Sequence, residues 1–377
     1  VFLAVQTTGV GLSKQLHLLL APKERFEPEG AGAFALNVLE TSRVSRFRSN
    51  ITVFGSPVAQ PFDEVRFHPL AKARWFEGDR NRAMVRRYFQ YAKHNPPDLI
   101  EIYNRPMMID VLHRPLANVP LALHIGNDPR KMDGSRSTSE RRNLLEKAAA
   151  IVCVSAFIRN CFFQGIDDST NGNVHVLHNG VERATVIPPK ENRIVYVGRI
   201  VPEKGVLELV RALARVLPMH PAWMAEIIGA RWFGKGEEPS AYEKSVVRAA
   251  SGCGQIVLAG FRPHAEILAA LRPASIAVVP SLWDEPFSRT APEAVGQGCA
   301  LVCSSRGGLP ELGADRALYL NSISEQSIAE AIEHLICHGD ERRALQRRGW
   351  ENLPFEIHRI TALLDGLRES LINRSSS

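Results

Sequence analysis

The stretch "SIAVVPSLWDEPFSRTAPEAVGQGCALVCSS", residues 275–305, decides the fold class. It opens on an apolar, strand-like run. A loop follows, then a helix of small residues, then the second apolar run "ALVCSS". Strand, helix and strand in that order make a βαβ unit, the building block of a parallel sheet covered on both faces. Two carboxylates, Glu285 and Glu293, flank the helix start with seven residues between them. Two readings are open. Thr290-Ala291-Pro292-Glu293 fits a capping box, with Thr290 as cap, Pro292 in the first turn and Glu293 bonding back. Alternatively, the strand end and helix start form a ligand cradle, because ligands of open α/β sheets sit beyond the carboxyl ends of the strands. Helix amides there attract phosphate. Carboxylates suit sugar hydroxyls, for which they are strong acceptors. Phosphate and polyhydroxyl together describe a nucleotide sugar.

The same alternation extends in both directions. Upstream, "QLHLLLAP", "NITVFGS", "DLIEIYN", "PLALHIG", "IVCVS" and "VHVLHNG" read as strands. Between them lie the helical patterns "AFALNVLETSRVSRF", "RNRAMVRRYFQYAKHN", "MIDVLHRPL", "SERRNLLEKAAA" and "AFIRNCFF". A Pro-containing polar stretch, 182–192, interrupts the series. It restarts with the strand "RIVYVG", a helix over "VLELVRALARVL", and the strands "AEIIG" and "QIVLAG". The last periodic segment, "FEIHRITALLDGLRESLI", is helical by its spacing. The division is therefore 1–185 for a first domain, 186–192 for a linker and 193–353 for a second domain. Residues 354–377 form a closing helix, able to pack back on the first domain, and an unstructured "NRSSS" tail.

Composition excludes several classes. The 377 residues are 45% hydrophobic and 23% charged, enough for two or three cores. No apolar run approaches the roughly 18 residues of a membrane span. The sequence does not begin with Met. Its opening "VFLAVQTTGVGLSKQ" lacks the basic region of a signal peptide. The six cysteines form no C-x-x-C pair, which points to buried free thiols in a reducing compartment. No G-x-G-x-x-G follows a first strand, which argues against a dinucleotide-binding oxidoreductase. The formal charge of +6 is one-sided: residues 1–181 carry 23 Lys+Arg and 17 Asp+Glu, and residues 182–377 carry 23 of each. The candidate basic clusters are Arg80, Arg82, Arg86 and Arg87; Arg130 and Lys131; and Arg136, Arg141, Arg142 and Lys147. They lack the aromatic platforms or recognition motif of a nucleic-acid binder. An anionic acceptor at a membrane surface is the alternative to a merely solvated face.

A second constellation lies in "RIVYVGRIVPEKG", residues 193–205. It puts Gly198 and Arg199 at a strand end and Lys204 at a helix start. Two fixed cations beside a helix N-terminus suit a leaving diphosphate, which gains charge as its bond to carbon breaks.

This strand with Gly-Arg-x-x-x-x-Lys-Gly, the paired glutamates, "RGGLPEL" and the Asn-Gly-Val of "VHVLHNGVE" together resemble the GT-B glycosyltransferases of family 4. The resemblance is strongest over 193–315. It implies GT-B architecture: two Rossmann-like doubly wound α/β domains with an inter-domain cleft. It further implies a retaining transfer from a nucleotide-sugar donor to a hydroxyl acceptor, with no metal or other cofactor. Glu293 would bind the ribose, Glu285 the donor sugar, and Arg199 and Lys204 the diphosphate beside Gly198. The amides of Phe287, Ser288, Arg289 and Thr290 would approach the distal phosphate or sugar. His124 would reach the donor sugar from the first domain, and Gly30 and Gly32 would form a loop near the phosphates. Pro286 and Ser288 stand where the family has glycines, and Arg289 where it has an aliphatic residue. The expected acceptor is a sugar or glycolipid of a cell-envelope polysaccharide. The expected location is the cytoplasm, with visits to the inner membrane face. The rival reading is a non-catalytic sugar-nucleotide binder. Glu311 reads as a helix-start residue.

Overall fold

A computed structural model describes residues 14–71, 79–167, 172–231 and 238–374. The first domain contains β1 (Leu16–Leu19), α1 (Ala33–Val44), β2 (Ile51–Gly55), β3 (Arg66–Pro69), α2 (Arg80–His94), β4 (Leu99–Tyr103) and α3 (Met107–His113). It continues with β5 (Leu121–Ile125), α4 (Thr138–Lys147), β6 (Ala150–Cys153), α5 (Ala156–Phe163) and β7 (Val174–Val176). The second contains β8 (Glu191–Val197), α6 (Val206–Val216), β9 (Met224–Ile228), α7 (Ala241–Ala250), β10 (Ile256–Gly260) and α8 (His264–Leu271). Then come β11 (Ala274–Val279), α9 (Thr290–Gly296), β12 (Ala300–Ser304), β13 (Leu318–Leu320), α10 (Glu325–Cys337) and α11 (Gly339–Glu351). The chain closes with α12 (Ile357–Arg374).

Each domain is one parallel sheet between helices. The orders are β3-β2-β1-β4-β5-β6-β7 and β10-β9-β8-β11-β12-β13. The central strands are buried along their whole length, as in β4 and β11, because helices cover both faces. The strand order reverses between β1 and β4, and again between β8 and β11. Loops leaving those strands diverge and open a crevice at the carboxyl edge. Residues after β1, β8 and β11 therefore meet at the cleft.

Several expectations shift in detail. The edge strand β3 (Arg-Phe-His-Pro) carries no apolar run and β13 (Leu-Tyr-Leu) is only three residues long, so their sequence signal is weak. β8 begins at Glu191, inside the expected linker, where Glu191 pairs with Ala274. The crossing segment is bonded to the second domain: Ala184 N donates to Gly296 O at 3.0 Å and Trp350 Nε1 to Ala184 O at 2.9 Å. The tail expectation falls partly on 375–377, outside the described residues, while Asn373 and Arg374 are helical.

α12 returns to the first domain and packs on α1 and β4. Its Arg368 is fully buried and grips Glu101 of β4 with two bonds of 2.8 and 2.9 Å. Asp365 accepts from Ser45 Oγ at 2.7 Å and from the Arg46 amide at 2.9 Å. All six cysteines are free, and all but Cys337 are buried. Burial pushes the Cys299 thiol up to about 11. Among the described residues, no helix is long and apolar enough to cross a membrane.

Candidate functional site

A cleft of about 690 Å³ lies where the carboxyl edges of the two sheets face each other. From the second domain it is lined by Gly198, Arg199, Lys204, Glu285, Phe287, Ser288, Arg289, Thr290 and Glu293. From the first domain come Glu24, Ala31, Ala33, Phe34, Gly126 and Asn127. A neighbouring cavity of about 600 Å³ carries Arg25 and Arg80, and Glu24 lines both.

The loops after β8 and β11 are locked together by glycine. Gly205 is left-handed at φ 66°, and a Cβ there would lie 2.0 Å from Pro280 O. No other residue type permits that approach. Leu282 N then donates to Glu203 O at 2.9 Å. Gly307 and Gly308 of "RGGLPEL" act alike, since their Cβ atoms would strike Glu285 O and Pro286 O at 2.1 and 2.3 Å.

The result is a buried ion pair. Lys204 Nζ lies 2.5 Å from Glu285 Oε1, which also accepts from Ser281 Oγ at 2.5 Å. Glu285 is 3% exposed. The sequence suggests separate tasks for these residues, and the fold makes them partners. Arg199 stands at the rim, 3.6 Å from Glu203 and 38% exposed.

The capping-box reading of Thr290 and Glu293 does not hold. α9 has no side-chain cap, and Thr290 Oγ1 instead donates to Val197 O at 3.3 Å. Glu293 is engaged sideways. Its Oε1 accepts from Arg289 Nε at 3.0 Å and Nη2 at 2.7 Å, and lies 2.8 Å from His264 Nε2. Burial alone would raise this carboxyl, but the Arg289 charge and the His264 bond hold it at about 2. Arg289 Nη2 also bonds both oxygens of Glu40, on α1 of the other domain. Sequence reading missed His264 and Glu40 because their partners are 29 and 249 residues away.

His124 is 8% exposed, and Gly126 rather than His124 itself reaches the cleft wall. Its ring stacks on Tyr103 with centroids 4.4 Å apart, and its Nε2 lies 3.8 Å from Glu101. Burial lowers its pKa to about 4, so the ring is neutral at pH 7. Gly30 and Gly32 also lie behind the wall that Ala31 and Ala33 present. Gly32 caps α1, and a Cβ there would lie 2.6 Å from Glu24 Oε2.

Phe287 packs against His178 and Phe355, with centroids 4.8 and 5.1 Å away. Glu311 does more than start a helix. It accepts from the Ala156 and Phe157 amides at 2.8 and 2.9 Å, capping α5 from across the domain boundary.

Some members of the basic clusters are committed within the first domain. Arg141 is buried, with its guanidinium spent on four backbone carbonyls. It is therefore no surface cation. Arg130, Arg136 and Lys147 pair with Asp128, Asp133 and Asp110.

Residues 181–351 match the family model described as Glycosyl transferases group 1. YtcC of Bacillus subtilis is 24% identical over 237 residues, covering 57% of either chain. The uncharacterized glycosyltransferase YqgM of the same organism is 24% identical over 95% of this chain and 99% of its own. The chain thus spans little more than half of the first relative and nearly all of the second. In structure, Anabaena Alr3699/HepE, solved in complex with UDP, aligns with a TM-score of 0.73 and 19% identity over 95% of this chain and 100% of that one. The two parallel-sheet domains and this likeness make the fold GT-B. The matched domain and the name of YqgM support a glycosyltransferase.

Proposed function

We propose that this chain is a retaining glycosyltransferase of family 4 type, which takes a nucleotide sugar in the cleft and passes the sugar to a hydroxyl acceptor. The observation that carries the reading is the Lys204–Glu285 pair at the β8/β11 switch point, with Arg199 and Glu293 on the same wall. The incoming diphosphate competes with Glu285 for Lys204. As the C1–O bond breaks, the phosphate oxygen gains charge that Arg199 and Lys204 stabilise. That oxygen takes the acceptor proton while the acceptor attacks the same face. Glu293 serves the nucleoside hydroxyls, and Glu285 the sugar. No metal takes part in this scheme, because the two cations carry the phosphate charge. A non-catalytic binder is the second reading. It rests on Pro286 and Ser288, which stand where the family resemblance has glycines. Hydrolysis or transfer of an intact donor separates the two.

A thermal-shift panel of nucleoside diphosphates and their sugars tests the binding step. A ligand at 100 times its Kd stabilises by about 2.7 kcal/mol. Glu293→Gln should weaken the nucleoside diphosphate, and Glu285→Gln should lower transfer more than binding. No shift with any member of the panel sinks the reading.

The first domain would hold the acceptor, in the cavity bearing Arg25 and Arg80 that adjoins the cleft at Glu24. The net +6 of residues 1–181 suits an anionic glycolipid, reached by peripheral docking on the inner membrane face. Sedimentation with liposomes should rise with anionic lipid and fall with salt, since each basic residue near such a surface contributes about 1 kcal/mol. Arg86→Glu with Arg142→Glu should weaken it. Arg141 has no place in that test. Indifference to lipid charge removes the membrane and leaves a soluble acceptor.

A further inference from the structure

Arg289 is a charged side chain, 8% exposed, set where the two domains meet. Its Nη2 lies 3.0 and 2.8 Å from the two Glu40 oxygens and 2.7 Å from Glu293 Oε1. His264 adds a further contact to that same Oε1 and lies 3.6 Å from Glu40. Among the described residues, the hydrogen bonds to the Glu293 carboxylate all fall on Oε1, and Oε2 takes none of them. Arg289 Nη1 is buried with no hydrogen-bond partner among the described residues. Arg289, Glu293 and His264 all line the cleft.

This is an unusual way for an arginine to meet a carboxylate. Left to themselves, the two form a fork with parallel bonds to both oxygens. Glu40 prevents that by drawing Nη2 toward the first domain. One acceptor, Glu293 Oε2, is thereby left over on a residue that lines the cleft. A vicinal diol suits it, because its hydroxyls donate to a carboxylate oxygen.

We propose that Glu40 is a positioning residue for the nucleoside end of the donor: it holds Arg289 off the second oxygen of Glu293 and so keeps that oxygen for the ribose diol. Glu40 stands on α1 and Arg289 just after β11. Recognition of the diol therefore depends on the two domains being together, and an opened cleft lets Arg289 fold onto Glu293 and block it. The inference rests on the nucleotide-sugar reading above.

The sign of the effect separates this role from simple electrostatics. Removing a carboxylate near an anionic ligand should tighten binding by charge alone. The positioning role requires it to weaken. The experiment is calorimetry with uridine, adenosine and guanosine diphosphates, followed by the 2′,3′-dideoxy counterpart of the tightest. Wild-type protein should prefer the ribose form by about 10–100-fold, the range of a hydrogen bond to a charged group. Glu40→Gln should bring that preference within about threefold, by weakening the ribose ligand and sparing the dideoxy one. Glu40→Asp should recover part of it. The inference is overturned if Glu40→Gln binds the ribose ligand as well as or better than wild type, or loses both ligands equally. If the wild-type protein binds none of the three diphosphates, the nucleotide reading falls and takes this inference with it.

Discussion

Lys204→Ala is expected to lower sugar transfer by about 10²–10³-fold, or about 3–4 kcal/mol, the effect of losing one donor to a developing oxyanion. Lys204 is held in place before any ligand arrives. Its loop ends at Gly205, which abuts Pro280, and its ammonium sits on Glu285. Once the diphosphate has displaced Glu285 from Lys204, the cation is in place before charge develops on the leaving phosphate, the condition under which a fixed cation is most effective. The substitution also strands Glu285, a buried carboxylate, whose side chain then keeps only the Ser281 bond among the described residues. That unpaired charge repels the departing diphosphate. Lys204→Ala combined with Glu285→Gln should therefore recover part of the lost rate. Single-turnover assays in excess chelator provide the measurement. The wild-type rate should persist there. A rate that collapses with chelator and returns with magnesium or manganese assigns the phosphate charge to a metal and removes it from Lys204.

Arg368→Met should destabilise the fold by about 3–5 kcal/mol, the cost of breaking a buried pair from one side. Arg368 is 0% exposed and Glu101 1%. Burial pushes the Glu101 carboxyl up, but Arg368 outweighs it and holds the value at about 2, against an ordinary 4.5. A depressed carboxyl contributes stability that is complete above 4.5 and is lost as pH falls toward 2. In the variant the sign reverses. Glu101 is then buried without its partner, so its pKa rises and ionisation costs stability as pH climbs above 4.5. Urea unfolding at pH 7 and at pH 4.5 should thus show the gap between variant and wild type shrinking in acid. Arg368→Met with Glu101→Met should regain part of the loss, because two apolar side chains replace a buried pair with little penalty, while Asp365 loses its 3.0 Å bond from Arg368 and keeps those from Ser45 and Arg46. An equal gap at both pH values would show that the damage is to packing, not to charge.

The parallel sheets were legible in the sequence because a strand covered on both faces must be apolar whatever its partner. β4, β5, β11 and β12 carry that mark in their own residues. The cleft wall was legible for a related reason. Strand end, turn and helix start are contiguous in the chain, so Arg199 with Lys204 and Glu285 with Glu293 reach one edge by local geometry. Charge count misled where burial intervened. Arg141 reads as one of a basic surface cluster, yet it closes the carbonyls between α4 and α5. Residue type, spacing and periodicity belong to the chain itself, and from them came two Rossmann-like domains and the acidic and basic groups at their edges. Which charge each group faces depends on residues brought together from afar. Arg289 meets Glu40 across 249 positions and Arg368 meets Glu101 across 267. Ion pairing falls off over a few ångströms in space and takes no account of separation along the chain, so only the packed tertiary structure decides it.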